Sequence, residues 1–333
     1  MDYLELFMQI GLLILGFVML IKGADWFVDG ASRLAEQFGI PQLIIGLTIV
    51  AMGTSAPEAA ISITSSISGN AGISIGNVVG SNILNVLLIL GVTALFGALP
   101  IQKNTKWIEI PFVAVCSVAL LGLGMWGNSI GRIDGGVLWG LFIAFLVYLF
   151  LSAKKSMKSG ANAVEEQENS GGCFQFLFKN RKMPVWFMVL LILVGGALIV
   201  FGADVTVDSA SAIATMFGMD DRLIGLTIVA FGTSLPELIT SVTAALKHKA
   251  DIAIGNIVGS NIFNILFVVG TTALIRPVAF QQEFIFDTVM AIVAPVMLFV
   301  CVLFGRDKLR RWGGGLMLLS YAAYLTYIIG FKA

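Results

Sequence analysis

Charged residues are scarce in this chain of 333 residues: they make up 12% of it, while 58% of its residues are hydrophobic. A soluble globular domain carries about 25% charged residues, and the mean hydropathy here is +0.94. The composition therefore excludes an ordinary soluble protein and indicates one with several membrane spans. The 20 basic and 20 acidic residues cancel. This balance argues neither for nor against nucleic acid, and we expect no nucleic-acid partner.

Histidine and cysteine are rarer still. The single histidine, His248, lies between lysines in a predicted loop. The three cysteines, Cys116, Cys173 and Cys301, form no Cys-x-x-Cys pair, so neither a disulfide framework nor a thiolate metal site is indicated. A Walker motif is absent, and no predicted cytoplasmic loop is longer than the polar segment at 153–183. These absences exclude an ATP-driven pump.

Long apolar windows predict an all-α polytopic membrane protein with ten transmembrane helices, since a helix needs roughly 20 apolar residues to cross a bilayer. The predicted spans are 4–37, 42–68, 71–97, 105–126, 132–152, 184–217, 222–246, 250–275, 283–304 and 309–331. The polar segment at 153–183 contains Gly and Ser and reads as a cytoplasmic linker. It separates a first five-helix repeat at 1–152 from a second at 184–333.

The distribution of basic residues predicts the orientation. If the N-terminus is outside, sixteen of the 20 Lys and Arg residues lie at cytoplasmic ends of the predicted spans and four at outer ends. Excess Lys and Arg mark cytoplasmic loops. We therefore expect an integral multi-pass protein of the plasma (cell inner) membrane, with both termini outside.

The two halves repeat each other. A shift of 179 residues aligns GLTIVAMGTSAPE with GLTIVAFGTSLPE and IGNVVGSNILN with IGNIVGSNIFN, and 40 of the 73 positions from Gly23 to Leu95 are identical. Each half has five predicted spans, an odd number, so the second half must enter the membrane in the opposite sense. Such inverted repeats place a site near the membrane midplane where the halves meet.

A carboxylate stands at the same place in each repeat, Glu58 in GTSAPE and Glu237 in GTSLPE. An ionised group at membrane depth faces a cavity or a partner, and no Lys, Arg or His lies beside either glutamate in its span. Two close carboxylates without a basic partner share a proton or hold a cation. A hard divalent cation with oxygen ligands fits the second possibility.

Other oxygens accompany the two acids. Thr54 and Thr233 lie four residues before the glutamates, on the same helical face. Pro57 and Pro236 lack an amide hydrogen and are expected to break helices 2 and 7, freeing carbonyls around Ala51–Gly53 and Ala230–Gly232. Freed carbonyls are good ligands for sodium or calcium.

The following span carries a polar stripe with a spacing of four residues, formed by Asn77, Ser81 and Asn85 in one repeat and Asn256, Ser260 and Asn264 in the other. Asn77 and Asn256 either join helices by hydrogen bonds or contact an ion. For Asn85 and Asn264, which lie deeper, ligation is the favoured interpretation. Four acids near the polar ends of spans one and six read mainly as interfacial charges, with control of ion access as the alternative: Asp25, Asp29, Asp204 and Asp208.

The repeated GTSxPE and GNxxGSN motifs resemble the alpha repeats of the cation/calcium exchanger superfamily, specifically its sodium/calcium exchanger branch. The resemblance covers both repeats and implies an antiporter that exports calcium against entering sodium by alternating access. The implied partners are calcium and sodium ions and the lipid bilayer, with no cofactor, no enzymatic activity and no obligatory protein partner. The long first and sixth helices are implied to slide against the core as a gate.

The resemblance also assigns ligands. It implies that calcium is bound by Glu58 and Glu237, by the side chains of Thr54 and Thr233, and by the carbonyls of Ala51 and Ala230. It implies sodium sites at the same glutamates with Ser55, Ser234, Ser81 and Ser260. Some archaeal and all potassium-dependent members carry Asp where this chain has Asn264, which argues against potassium cotransport here.

Alternative functions stay open at this point. The glutamate-containing GNxxE pattern of the proton-coupled branch is absent, but a proton/calcium or other divalent-cation antiporter is the next hypothesis, and a passive cation channel is the one after it. An intramembrane enzyme with Thr or Ser as nucleophile lacks a basic partner beside either motif.

Overall fold

The computed structural model describes residues 3–69, 72–158, 183–218 and 230–331, and most of these residues are helical. The α-helices are α1 Tyr3–Phe38, α2 Gln42–Ile45, α3 Ala51–Thr54, α4 Ala56–Ile67, α5 Gly72–Leu84, α6 Gly91–Phe96, α7 Ile110–Met125, α8 Arg132–Lys158, α9 Val185–Met216, α10 Ala230–Gly232, α11 Leu235–Leu246, α12 Ala250–Phe263, α13 Gly270–Ile275, α14 Glu283–Phe304 and α15 Arg311–Phe331. Wider π-helical segments continue several of them, at Gly46–Val50, Asn85–Leu90, Thr105–Glu109 and Asn264–Val269.

Four two-residue strands lie between the helices: β1 Leu99–Pro100, β2 Ser129–Ile130, β3 Val278–Ala279 and β4 Lys308–Leu309. β1 pairs antiparallel with β4, and β2 pairs antiparallel with β3. Each pair joins a connection of the first half to a connection of the second. The two halves are therefore held together at both strand pairs.

The positions of the helices agree with the predicted spans. Within the part of the chain that the structure describes, seven helices are long and apolar enough to cross a membrane, or eight if the bent pair Gln42–Thr54 and Ala56–Ile67 is one span. This confirms a helical protein with several membrane spans. The predicted span at 222–246 falls partly outside the described residues, as does most of the predicted linker. The span predicted at 309–331 is a helix of 21 residues that is not among the seven.

The expected break in the second span is present. Gln42–Thr54 and Ala56–Ile67 meet at an angle of 49°, and Ser55 between them has a non-helical backbone (φ −83°, ψ 9°). Pro57 lies in the first turn of α4, where the missing amide hydrogen costs nothing because no carbonyl of that helix precedes it. The second repeat has a matching turn at Ser234 (φ −95°, ψ 5°), and Pro236 lies in the first turn of α11.

Two long stretches form the centre of the molecule. In the most hydrophobic 18-residue part of Ala250–Ile275, 94% of the residues are buried inside the protein, and in that of Ser74–Phe96 the share is 78%. The corresponding share in α1 is 11%, so α1 exposes most of its apolar surface, as a lipid-facing helix does. The two polar stripes predicted from the sequence thus run through the protein interior.

Helices α1 and α9 pack along each other outside this centre. A Cβ atom on Gly23 would lie 2.8 Å from the carbonyl oxygen of Gly195, and one on Gly195 would lie 2.7 Å from that of Gly23. Glycine at both places lets the two backbones approach closely, as small residues do between membrane helices.

Candidate cation site

Glu58 and Glu237 are fully buried, each with 0% of its surface exposed. Each lies in the first turn of the half-helix that follows a break, Glu58 in α4 and Glu237 in α11. The N-terminus of a helix favours negative charge because its first amide groups point outward. The proline and the break therefore place each carboxylate where the backbone stabilises it.

Serine hydroxyls join each glutamate to the motif of the other half. Ser55 donates a hydrogen bond to Glu237 Oε1 at 2.7 Å, and Ser234 donates one to Glu58 Oε1 at 3.3 Å. Ser81 also donates to Glu58 Oε1, at 3.3 Å, and its hydroxyl lies 3.1 Å from that of Ser234. These contacts bring both GTSxPE motifs into one site.

The second carboxylate oxygens, Oε2 of Glu58 and of Glu237, do not form such hydrogen bonds. Both are buried, and neither has a hydrogen-bond partner among the described residues. A buried charged oxygen without a partner is costly. These atoms are therefore free to bind a ligand of opposite charge.

Thr54 and Ala51 lie beside the break as expected, but the carbonyl of Ala51 keeps its helical partner. Ser55 donates its amide hydrogen to Ala51 O at 3.0 Å, so the expected freeing of carbonyls by Pro57 does not extend to this one. The Thr54 hydroxyl lies 3.0 Å from Asn256 Oδ1 and 3.3 Å from Ala51 O, and the Ser260 hydroxyl lies 3.4 Å from Ala51 O. A carbonyl oxygen can accept more than one hydrogen bond because it has two lone pairs. Polar groups of both halves therefore lie around this oxygen, Ser55 and Thr54 from the first half and Ser260 from the second.

In the second repeat, the residues that correspond to Ala51 and Thr54 also lie beside a turn. Ala230 begins the short helix α10, and Thr233 lies in the turn that follows it. The segment before this turn, residues 219–229, lies outside the described residues. The backbone order of helix, turn and helix nevertheless matches that around Thr54.

Asn77 and Asn256 join the polar stripe to the broken helices. Asn77 Nδ2 donates to the backbone oxygen of Glu58 at 3.2 Å and to Ser62 Oγ at 3.0 Å. Asn256 makes the corresponding bonds to Glu237 at 3.4 Å and to Ser241 at 3.0 Å. The interpretation of these two residues as helix-joining groups is thus confirmed. Sequence reasoning missed Ser62 and Ser241, although their repetition after a shift of 179 was visible.

Asn85 and Asn264 are fully buried at the points where the central helices widen into π-helical segments. Asn85 Nδ2 donates to Asn261 Oδ1 at 3.1 Å, and Asn264 Nδ2 donates to Asn82 Oδ1 at 3.2 Å. The Oδ1 atoms of Asn85 and Asn264 have no partner among the residues described. Asn82 and Asn261 were also missed from the sequence, although both belong to the repeated GSN motif.

The ion pairs among the described residues include neither glutamate of this site. Lys247 Nζ lies 2.5 Å from Asp25 Oδ1 and 2.7 Å from Asp29 Oδ1, and Lys249 pairs with Glu36 at 3.3 Å. Asp25 and Asp29 thus tie α1 to the end of α11, and their interpretation as interfacial charges stays a prediction. Asp204 and Asp208 are exposed on α9.

The oxygens of the site suit a small hard cation. Four of them are buried and without a partner in the described part of the chain, two from carboxylates and two from amides. Among these same residues, no three His, Cys, Asp or Glu side chains cluster together, so carboxylates alone cannot complete a site. Calcium and similar cations accept mixed sets of carboxylate, amide, hydroxyl and carbonyl oxygens.

Comparison with known proteins points to one family. The model of the family described as sodium/calcium exchanger protein matches residues 8–151 and 187–330. The inner membrane protein YrbG of Escherichia coli is 35% identical over 297 residues, which cover 87% of each chain. The sodium/calcium exchanger MaX1 of Methanosarcina acetivorans is 33% identical over 343 residues, covering 95% of this chain and 97% of the relative. A solved structure of the sodium-calcium exchanger NCX_Mj superposes with a TM-score of 0.79 at 30% identity, covering 97% of this chain and 99% of the other.

Proposed function

This chain belongs to the sodium/calcium exchanger family and exchanges sodium for calcium across a membrane, and we propose that both ions compete for the site between Glu58 and Glu237. The observation that carries this proposal is a set of four buried oxygens without partners among the described residues, one from each glutamate and one each from Asn85 and Asn264. Each repeat contributes two of them.

The other predicted ligands complete the set in this proposal. Calcium is held by the two glutamates with the side chains of Thr54 and Thr233 and the carbonyls of Ala51 and Ala230, and Asn85 and Asn264 face the same space. Sodium ions use the same carboxylates with Ser55, Ser81, Ser234 and Ser260. The bonds of Ser55 and Ser234 to the glutamates of the opposite half support this assignment.

Competition at shared ligands explains antiport. Two glutamate charges neutralise one calcium ion, or they are shared among several sodium ions, so that the two loads exclude each other. An ion can shift a conformational equilibrium only by binding the two states differently. Antiport in this proposal therefore depends on a site that binds either calcium or sodium, but not both at once.

The proposed architecture is ten transmembrane helices in two inverted five-helix repeats, at 1–152 and 184–333, joined by a cytoplasmic linker. Reciprocal contacts support it: Leu99 pairs with Leu309 and Ile130 with Val278, and a shift of 179 residues converts one pair into the other. The location in the cell inner membrane with both termini outside rests on the charge of the loops and on the similarity to the E. coli protein.

The test is sodium-dependent calcium transport by protein reconstituted in vesicles. An outward sodium gradient should drive uptake of radioactive calcium, and Glu58→Gln and Glu237→Gln should each reduce it to background because an ionised ligand is lost. Glu109→Gln is the matched control, since Glu109 is also buried and also has one carboxylate oxygen without a partner among the described residues, but its other oxygen accepts from Tyr148 at 2.6 Å and it lies outside both GTSxPE motifs. It should leave ion selectivity unchanged.

Three outcomes would overturn parts of the proposal. Calcium uptake driven by a pH gradient and not by sodium would make the protein a proton/calcium antiporter. Flux that follows the calcium gradient regardless of sodium would make it a channel. Transport retained by either glutamine variant would remove the paired site.

A further inference from the structure

Four asparagine amides form a closed network between the central helices of the two halves. Asn82 Nδ2 donates to the backbone oxygen of Asn261, and Asn261 Nδ2 donates to that of Asn82, both at 3.1 Å. The side-chain oxygens of these two residues then accept from Asn264 and Asn85. Asn82 and Asn261 are 2% and 1% exposed, so water does not substitute for these bonds.

The network determines which end of each amide faces away from it. A backbone carbonyl only accepts hydrogen bonds, so Asn82 and Asn261 must turn their NH₂ groups toward the carbonyls they contact. Their side-chain oxygens are then directed to Asn264 and Asn85, and these oxygens also only accept. Asn85 and Asn264 must therefore turn their NH₂ groups inward, which leaves their Oδ1 atoms as the free ends.

This polarity decides what an ion meets. An asparagine amide has nearly the same shape in its two flipped orientations, but one presents an oxygen and the other presents an NH₂ group that repels a cation. The two free Oδ1 atoms are buried and without a partner among the described residues. If either amide were flipped, two oxygens would face each other inside the protein, which is unfavourable.

We propose that Asn82 and Asn261 are positioning residues for cation binding: each fixes the amide of the opposite half, Asn264 or Asn85, with its oxygen toward the ion. They contact the ligand-bearing amides and not the ion. The inference rests on the proposed function of the site and goes beyond it, because neither residue was assigned a role there. The pairing is crossed, Asn82 with Asn264 and Asn261 with Asn85.

A carboxylate in place of the positioned amide gives a sharp test. An aspartate has oxygens at both ends and no polarity to fix. In the otherwise unchanged protein, Asn82→Ala should weaken calcium binding about tenfold, because Asn264 loses its acceptor. In an Asn264→Asp background, Asn82→Ala should cause no loss of calcium affinity, since no amide remains to be oriented and Asn82 Oδ1 there faces a carboxylate oxygen to which it cannot bond.

The crossed pairing supplies the matched control. In an Asn85→Asp background, Asn82→Ala should still weaken calcium binding about tenfold, because Asn264 is intact there. The mirror-image cycle, Asn261→Ala in Asn85→Asp and Asn264→Asp backgrounds, repeats the test if one variant does not fold. Binding is measured by calorimetric titration of purified protein with calcium, and melting temperature without calcium confirms folding.

The outcomes distinguish this inference from the proposed function. If the unmodified protein binds neither calcium nor sodium, the proposed function fails. If it binds calcium but Asn82→Ala costs the same in all three backgrounds, Asn82 is a packing residue and the positioning role is wrong. Loss of the effect in the Asn264→Asp background alone supports the crossed assignment.

Discussion

At the scale of single residues, the site is built from contacts that cross between the halves. Ser55 comes from the first repeat but bonds Glu237, and Ser234 comes from the second but bonds Glu58. Each carboxylate thus accepts serine hydroxyls at one oxygen, and the other oxygen has no partner among the described residues. The serines hold the carboxylates in place and are themselves proposed sodium ligands.

Ser55→Ala should therefore weaken sodium binding more than it weakens the fold. The variant removes one hydrogen bond to a charged group, which is worth about 1.5–3 kcal/mol, and it removes one proposed ligand oxygen. We expect the apparent sodium affinity, measured from the sodium dependence of calcium uptake, to fall by about tenfold or more.

Ser117→Ala is the matched control for that variant. Ser117 is also a fully buried serine, but its hydroxyl bonds the carbonyl of Val113 within its own helix. An equal loss of sodium affinity in both variants would show that a buried hydroxyl anywhere has this effect and would contradict the role of Ser55.

At the scale of helices, two kinds of contact hold α1 in place. Along its length it meets α9 through glycines, with the backbones close enough that a Cβ on Gly23 would clash with a carbonyl oxygen. Toward its end it meets Lys247 through Asp25 and Asp29. The first contact depends on shape and the second on charge, so they can be tested separately.

Gly23→Leu should force α1 away from α9. Overpacking of this kind costs about 1–3 kcal/mol or more, because backbone has to move. We expect a lower melting temperature and slower exchange of calcium for sodium. Gly11→Leu in the same helix is the control, since nothing lies within 4 Å of a Cβ there; similar effects of both would contradict the close α1–α9 contact.

Lys247→Met should loosen the attachment of α1 to the end of α11. The substitution leaves Asp25 and Asp29 facing each other without their shared cation, and the groups are only 12–26% exposed. Exposed ion pairs contribute little to the free energy of unfolding, and breaking a buried pair costs more. For these partly buried pairs we expect the free energy of unfolding to fall by about 1–2 kcal/mol, measured by thermal unfolding. Lys308→Met is the control, because Lys308 is exposed and forms no ion pair among the residues described. A melting temperature unchanged by Lys247→Met would show that the ion pairs do not stabilise the protein.

At the scale of the whole molecule, the positions of the two strand pairs allow a test of the proposed membrane topology. In the proposed inverted arrangement, the β1–β4 pair lies on the cytoplasmic side and the β2–β3 pair on the outer side. A membrane-impermeant thiol reagent should then label Gln281→Cys in intact cells and Lys308→Cys only in opened cells. Both positions are exposed, and the three native cysteines are first replaced by alanine. Labelling of both positions from the same side would contradict the inverted topology.

Much of this molecule could be predicted from its sequence, because the membrane imposes simple local rules. Apolar length determines where helices can span, and the described helices coincide with the predicted windows. A proline followed by a buried acid, repeated at Pro57–Glu58 and Pro236–Glu237, predicted both breaks and both carboxylates. The repeat also predicted that the halves would contribute equivalent groups.

Other features depend on the tertiary structure because they arise between residues far apart in the chain. The sequence could not show that Ser55 serves the opposite glutamate, that the carbonyl of Ala51 keeps its amide partner, or that Asn77 and Asn256 brace the broken helices. Nor could it show which end of Asn85 and Asn264 is free. The sequence by itself determined the helices, their breaks and the presence of two buried acids, because helix formation and burial follow local composition. Only the packing of the halves decided which oxygens remain available to an ion, because a hydrogen bond is settled by distance and direction between partners about 180 residues apart.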